Sequence, residues 1–167
     1  MDDVEPGGVL RAIPLFADVL DAAQMDDLAN KCHVAVFSKG SELMAEGDFG
    51  SSMFAIVSGK VLVMVADRRG TEHDLAQLGA GDLVGEMSLM TGARRNATVV
   101  ADSDVVTVEI TKVALEHVLA RAPDLIDRFG AMLAKRRAER DRVAAMNHSG
   151  EDLAHRIRYF FTGRQAR

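Results

Sequence analysis

The feature that most constrains the fold is the stretch from Cys32 to Ile110, in which short runs of period two are separated by glycine turns. Alternating apolar side chains are typical of strands with one buried face, and glycine beside polar residues is typical of the turns between them. The pattern predicts eight strands, at Cys32–Phe37, Glu42–Ala45, Met53–Val57, Lys60–Ala66, His73–Leu78, Asp82–Val84, Ala97–Val100 and Val105–Ile110. Many short strands at this spacing indicate a β-sandwich or a jelly roll.

Helical patterns precede this stretch. Val9–Ile13 predicts the start of a short helix that Pro14 ends, because proline cannot continue a helix. Asp21 is expected to cap a further helix, with Gln24 three residues later completing a variant of the capping box.

Helical patterns also follow it. Thr111 is expected to cap a helix that runs to about Ala120, and Pro123 fits the first turn of a longer helix. The expected inner residues are Val113, Leu115, Val118 and Leu119 in the first helix, and Leu125, Ile126, Phe129, Met132 and Leu133 in the second. Basic residues from Lys135 to Arg142 either contact a ligand, membrane or partner or form a solvated helix face.

Length and composition narrow the class of protein. The chain has 167 residues, within the usual size of one domain, and 48% of them are hydrophobic, which is enough for a real core. A net charge of −5 argues against a general nucleic-acid binder. Cys32 is the only cysteine, so the chain suits a reducing compartment and Cys32 is expected to be a core residue. The acidic first residues do not form a signal peptide, and no apolar run has the length of a membrane helix.

The segment 81–100 carries the candidate chemistry. A strand is expected to end just before Gly85, which lets backbone approach a ligand because it has no side chain. The next residues, 86–90, predict one short helical turn whose first N–H groups form an anion site. Arg95 can hold two phosphate oxygens with its guanidinium, and Glu86 offers acceptors for sugar hydroxyls.

This order of residues resembles the phosphate-binding cassette of cyclic nucleotide-binding domains. The family pattern stands here as Gly85-Glu86-Met87-Ser88-Leu89, then Gly92, then Arg95-Asn96-Ala97-Thr98-Val99. The resemblance extends over about residues 10–140 and includes family turn positions at Gly40, Gly47, Gly59 and Gly81. It implies an α+β fold, an eight-stranded antiparallel β jelly-roll barrel with N-terminal helices and a C-terminal helical lid.

The resemblance also implies the roles of the site residues. Arg95 would pair with the cyclic phosphate and Glu86 would take the ribose 2′-hydroxyl. Backbone N–H groups near Met87 and Ser88 and at Ala97 would complete the phosphate cage. The base would lie against the barrel wall, and the last long helix would close the pocket with Arg136 or Leu133. The full set of expected ligand-binding residues is Gly85, Glu86, Met87, Ser88, Arg95, Asn96, Ala97, Val63, Leu75, Val84, Leu133 and Arg136.

Arg94 and Asn96 stand apart from the other residues of the cassette. Arg94 neighbours the expected anchor, but adjacent residues of an extended strand point to opposite faces, so only Arg95 is expected to enter the pocket. Asn96 departs from the family, which more often has alanine, serine or threonine there. Because an amide both donates and accepts hydrogen bonds, the choice between cAMP and cGMP stays open.

The resemblance implies a non-catalytic sensor of cAMP or cGMP that regulates an attached or partner effector, with an ion channel as the leading effector. The alternative is a catabolite-activator-type transcription regulator lacking its DNA-binding module. A phosphodiesterase is disfavoured because no metal-ligand cluster stands in the sequence, and the five histidines lie far apart with no short His/Asp pair. An empty pocket is disfavoured by the intact Glu86/Arg95 pair.

These expectations extend to partners, location and domain boundaries. No cofactor and no metal are expected, and the partners are a cyclic nucleotide and a channel or other effector, with no nucleic acid and with homo-oligomerisation left open. The protein is expected in the cytoplasm, and it is expected to be tethered at the inner face of the membrane if the chain is part of a channel. The expected divisions are a flexible N-terminus at 1–8, the binding domain at 9–146 (helices 9–31, β-barrel 32–110, C-terminal helices 111–146) and a tail with a short amphipathic helix at 147–167.

Overall fold

In a computed structural model, the described residues are 4–132, 134 and 135. Their helices are α1 (Pro6–Arg11), α2 (Pro14–Ala17), α3 (Ala22–Ala29), α4 (Glu86–Thr91) and α5 (Lys112–Arg121), and residues 124–132 are helical as well. The strands are β1 (His33–Phe37), β2 (Glu42–Met44), β3 (Ser52–Ser58), β4 (Val61–Ala66), β5 (Glu72–Leu78), β6 (Leu83–Val84), β7 (Thr98–Ala101) and β8 (Val105–Thr111). All eight predicted strands are confirmed, with bounds that differ by one residue or less at each end.

The strands form two antiparallel sheets of four strands, in the orders β1-β8-β3-β6 and β2-β7-β4-β5. Strands far apart in the chain are therefore neighbours, as in a jelly roll. The sheets are not closed into a barrel by hydrogen bonds. The α+β jelly roll is confirmed, and its barrel is two sheets whose inner side chains share one core.

Strand β3 has both faces buried, and its alternating side chains divide the interior into two cores. Phe54 and Ile56 belong to the inter-sheet core, which joins both sheets through Leu43, Phe54, Ile56, Val61, Val63, Val65, Val84, Ala97, Val99, Ala101 and Val105. Met53 and Ala55 belong to the helical core, which lies between the first sheet and the helices and includes Phe16, Leu28, Leu83, Leu89, Val108, Leu115, Leu125 and Phe129.

Two predicted helix caps are confirmed. The Asp21 carboxylate accepts a hydrogen bond from the Gln24 N–H at 2.8 Å, and the Gln24 side chain accepts one from the Asp21 N–H at 3.0 Å. The Thr111 hydroxyl accepts from the Ala114 N–H at 3.1 Å. Helix α1 begins at Pro6, three residues before the predicted start, because proline is well suited to the first helical position.

The predicted apolar faces of the C-terminal helices are only partly right. Val113 is 74% exposed, and Ala114 is buried in its place. In the 124–132 helix, Leu125 and Phe129 are buried and Ile126 is 56% exposed. Leu133, Arg136 and the predicted tail helix lie outside the described residues.

The 124–132 helix is held against the N-terminal helices. The Phe129 ring meets the Phe16 ring edge to face, with centroids 6.1 Å apart. The Arg128 guanidinium donates to the Asp18 carbonyl at 3.2 Å. Such aromatic pairs add to the free energy gained by burying the rings themselves.

Cys32 is half-buried, and burial raises the pKa of its thiol to about 11. A thiol with so high a pKa carries little of the nucleophilic thiolate at neutral pH. This agrees with the interpretation of Cys32 as a packing residue.

Two histidines have carboxylate partners, and one of them, His73, contradicts the prediction that no histidine forms a short His/Asp pair. His33 Nε2 lies 2.6 Å from Glu109 Oε1 across the β1–β8 ladder, where the two residues are register partners. His73 Nε2 lies 2.8 Å from Asp67 Oδ2. The second pair spans the β4–β5 turn, which brings together two residues that lie six apart in the chain.

We expect Asp67 to titrate with a pKa of about 2, chiefly because its carboxylate is hydrogen-bonded to His73. The folded pKa is depressed, so the stabilisation is present above the ordinary aspartate pKa of about 3.9 and is lost as the pH falls from about 4 to about 2. Carboxyl chemical shifts followed by NMR measure this. His73→Ala should move the Asp67 midpoint upward, and His33→Ala should leave it unchanged; an unchanged midpoint in both variants would contradict the assignment.

Candidate functional site

Helix α4 begins directly after β6 with no intervening loop. Gly85 makes this possible, because its φ of +84° is the left-handed conformation that residues with a side chain rarely adopt. The helix ends at Thr91 and is capped by Gly92, whose φ is +72°. The Ser88 hydroxyl donates to the Ala93 carbonyl at 2.7 Å and so holds the turn that follows. The first N–H groups of any helix lack partners within it, so the α4 start can accept an anion.

Arg95 is buried at the start of this helix, with only 6% of its surface exposed. Its Nη1 donates to the Gly85 carbonyl at 3.2 Å and its Nη2 donates to the Ser52 carbonyl at 2.5 Å. The guanidinium is thus held between β6 and the start of β3. These two bonds use part of a group with five N–H donors, which keeps capacity for an anionic oxygen.

Glu86 supplies the compensating charge. Its side chain is also only 6% exposed. Burial lowers the pKa of Arg95, and the Glu86 charge opposes that shift. Because a buried charge is tolerated only when it is paired or hydrogen-bonded, the pair stabilises a cation beside the α4 start.

The loop of residues 45–50 is fastened to the cassette by the two arginines. The Arg95 N–H donates to the Asp48 carbonyl at 2.7 Å, and the Gly47 N–H donates to the Arg95 carbonyl at 2.9 Å. Arg94 is exposed; it donates to the Gly47 carbonyl at 2.9 Å and lies over the Phe49 ring at 4.3 Å. The predicted divergence of the neighbouring arginines is therefore observed, with Arg95 inside and Arg94 outside.

The three apolar residues expected to meet the base share one interior. Val63 and Val84 are buried in the inter-sheet core, and Leu75 is half-buried against it. Ala97 is fully buried in the same core, and Asn96 is half-buried beside it. The backbone of Met87 lies in the first turn of α4. Arg95 lies near two of them, because Ala97 is two residues further along the chain and the Gly85 carbonyl that accepts from Arg95 directly follows Val84.

Sequence reasoning missed Gly50 and Ser52. Ser52 contributes a backbone carbonyl, which any residue type possesses, so no sequence signal marks it. Gly50 contributes the space left by a missing side chain, and a glycine beside a predicted turn was an available signal.

Leu133 and Arg136, proposed to close the pocket, lie outside the described residues. Within the part of the chain that the structure describes, no His, Cys, Asp and Glu residues cluster in a group able to hold a metal ion. None of the helices searched there has the length and apolar character needed to cross a membrane.

A jelly roll with a short helix and a buried arginine at the start of that helix defines a domain suited to hold a small anionic ligand. The chain matches the cyclic nucleotide-binding domain family over residues 34–122 and belongs to that family. The described part of the chain is a cyclic nucleotide-binding regulatory domain.

Relatives of this chain have different outputs. It is 31% identical over 132 residues to the cyclic AMP receptor protein of Thermus thermophilus, covering 79% of this chain and 61% of the relative. A cyclic nucleotide-gated potassium channel of Rhizobium etli is 29% identical over 136 residues, 81% of this chain and 36% of the channel. The N-terminal domain of a Streptomyces coelicolor transcriptional regulator superposes with a TM-score of 0.67 at 29% identity, covering 86% of this chain and 98% of that domain. The chain thus spans only part of the two full-length relatives.

Proposed function

We propose that the chain is a sensor of cAMP or cGMP that binds the nucleotide between the two sheets. The cyclic phosphate is held by Arg95 and the first N–H groups of α4, at Met87 and Ser88, together with the N–H of Ala97. Glu86 accepts a hydrogen bond from the ribose 2′-hydroxyl. The observation that carries the proposal is the burial of Arg95 and Glu86 together, 6% exposed each, beside the start of α4.

The base is proposed to lie against the inter-sheet core at Val63, Leu75 and Val84. These side chains are apolar, as are most of the side chains that line small-molecule sites, and Leu75 is the one that is only half-buried. Asn96 is half-buried at the edge of the cassette and is proposed to take part in the choice between adenine and guanine.

Isothermal titration calorimetry with cAMP and with cGMP tests the binding proposal. Saturable heat with either nucleotide supports it, and the stronger ligand identifies the preferred base. The absence of heat and of competition at about 1 mM ligand, which corresponds to about −4 kcal/mol, would contradict it. 5′-AMP is the matched control, because it retains base and ribose without the cyclic phosphate.

The output is proposed to pass through the C-terminal helices. Leu89 of α4 is buried in the same helical core as Leu125 and Phe129, so the cassette and the 124–132 helix share one packed unit. Because packed cores shift between discrete arrangements, a change at α4 on binding the nucleotide alters the fit of that helix. Leu133 and Arg136 continue the same sequence and are proposed to cover the ligand.

The effector at the end of this path is proposed to be either a channel or a transcription regulator. The Rhizobium relative supports the channel, and with it a tether at a membrane. The Thermus and Streptomyces relatives support the regulator, and they count against the expectation that nucleic acid is excluded as a partner of a longer protein. Sequencing the full-length transcript discriminates between them: pore-forming membrane segments support the channel, and an encoded helix-turn-helix supports the regulator.

A further inference from the structure

The Arg95 guanidinium lies in a slot that is walled by two glycines. An ideal Cβ built on Gly50 would lie 2.1 Å from both Cζ and Nε of Arg95. One built on Gly85 would lie 2.6 Å from Nη1 of the same side chain. Carbon atoms in contact are normally about 3.5–4.0 Å apart, so neither position can carry a side chain while Arg95 stays where it is.

The two glycines differ in why a side chain is excluded. Gly85 has a φ of +84°, so a substitution there strains the backbone whatever the space available. Gly50 is not among the described glycines with a positive φ, so its backbone conformation is open to alanine. The three atoms nearest to a Cβ added at Gly50 all belong to the Arg95 side chain. At this position it is therefore Arg95, and not a left-handed backbone conformation, that excludes a side chain.

We propose that Gly50 is a positioning residue whose bare Cα fixes the Arg95 guanidinium where the cyclic phosphate binds; this rests on the proposed function. An added methyl group would displace the planar group and break its bonds to the Gly85 and Ser52 carbonyls. The loop that carries Gly50 is itself fastened to the cassette through the Asp48 and Gly47 backbone bonds to Arg95. The methyl group therefore moves the arginine in preference to the loop, and the fold remains.

The test is a cycle of Gly50→Ala and Arg95→Ala, with cAMP and cGMP as titrants. Gly50→Ala is expected to weaken binding of the preferred nucleotide at least about tenfold in the wild-type chain. In the Arg95→Ala background the same change is expected to alter affinity less than about twofold, because the group it displaces is gone. Gly8→Ala is the matched control, since a Cβ at Gly8 meets nothing within 4 Å and no positive φ stands in its way; it should bind like the wild type.

Wild-type affinity in Gly50→Ala, or an equal loss in both backgrounds, would overturn the proposal while leaving the proposed function intact. If the wild-type chain binds neither nucleotide, the proposed function fails, and the slot is tested by thermal unfolding without ligand. Gly50→Ala should then lower the unfolding midpoint in the wild type but not in the Arg95→Ala background, and an equal drop in both overturns the slot. If Arg95→Ala does not fold, Arg95→Lys, which lacks the planar guanidinium, takes its place in the cycle.

Discussion

Replacing Arg95 with alanine should weaken binding of the preferred cyclic nucleotide about 10- to 150-fold. The change would remove the proposed charge-assisted hydrogen bond to the cyclic phosphate, and such a bond contributes roughly 1.5–3 kcal/mol. The effect should lie at the upper end, because Arg95 is 6% exposed and a buried charge is screened little by water. Calorimetric titration of the wild type and the variant measures the difference.

Arg94→Ala is the matched control, since it removes the same group one residue away. Arg94 contacts the 45–50 loop from outside, through the Gly47 carbonyl and the Phe49 ring. Its cation–π contact at an exposed site contributes about 0.5–1 kcal/mol, so a loss of affinity of about fivefold or less is expected. Equal losses in the two variants would show that the phosphate anchor has been wrongly assigned.

Replacing Phe129 with alanine should lower the free energy of unfolding by roughly 3–5 kcal/mol. Phe129 is 2% exposed, and its ring packs edge to face on Phe16, so the change leaves a cavity between two layers of helix. Urea unfolding followed by circular dichroism measures the loss. Ile126→Ala on the same helix removes a side chain that is 56% exposed and should cost much less. A similar cost for both would mean that the helix is not held through Phe129.

Phe129→Ala also tests the proposal that the 124–132 helix passes on the signal of nucleotide binding. In the wild type, adding nucleotide should change amide exchange in the 124–132 helix as well as in the 85–98 cassette. In Phe129→Ala the change should remain in the cassette and be lost from the helix, since the contact that joins the helix to the core is gone. Protection confined to the cassette in the wild type would make the helix a passive support and would refute the proposed lid.

The strands were predicted within a residue because two local signals agree. Alternation determines which side chains of β4 point inward, and glycines 40, 47, 59 and 81 all adopt the positive φ that tight turns require. The register between strands was not predictable from the sequence. It is set by which inner side chains fit together, and only the pairing of Phe54 with Val84 places both in the inter-sheet core.

The helices were predicted less well, because helical phase depends on packing against other elements. Counting apolar residues favoured Val113, but the Thr111 cap fixes a phase that buries Ala114 and leaves Val113 in solvent. Ile126 was included for the same reason; it is 56% exposed, whereas Leu125 and Phe129, predicted with it, are buried and Phe129 packs on Phe16.

The site residues also divide into those that have a local sequence signal and those that have none. Arg95 and Glu86 could be chosen as candidates because their proposed roles lie in side-chain chemistry at a fixed spacing within one segment, and both side chains are buried. Gly50 and the Ser52 carbonyl were missed, because they reach the guanidinium from a loop and a strand start more than forty residues away and contribute space and backbone. The family motif therefore does not include the glycine and the backbone carbonyl that surround the Arg95 guanidinium.

The alternation along β3 has a consequence for how such a protein can change over time. Phe54 and Ile56 lie in the inter-sheet core, beside which the nucleotide is proposed to bind, and Met53 and Ala55 pack in the core shared with the helices that are proposed to carry the signal. Neighbouring codons therefore determine two different properties. Substitutions at Phe54 and Ile56 can change which ligand is bound, while Met53 and Ala55 preserve the response to binding. A lineage can thus acquire a new ligand without a new output, or a new output without a new ligand, through single substitutions in one short strand.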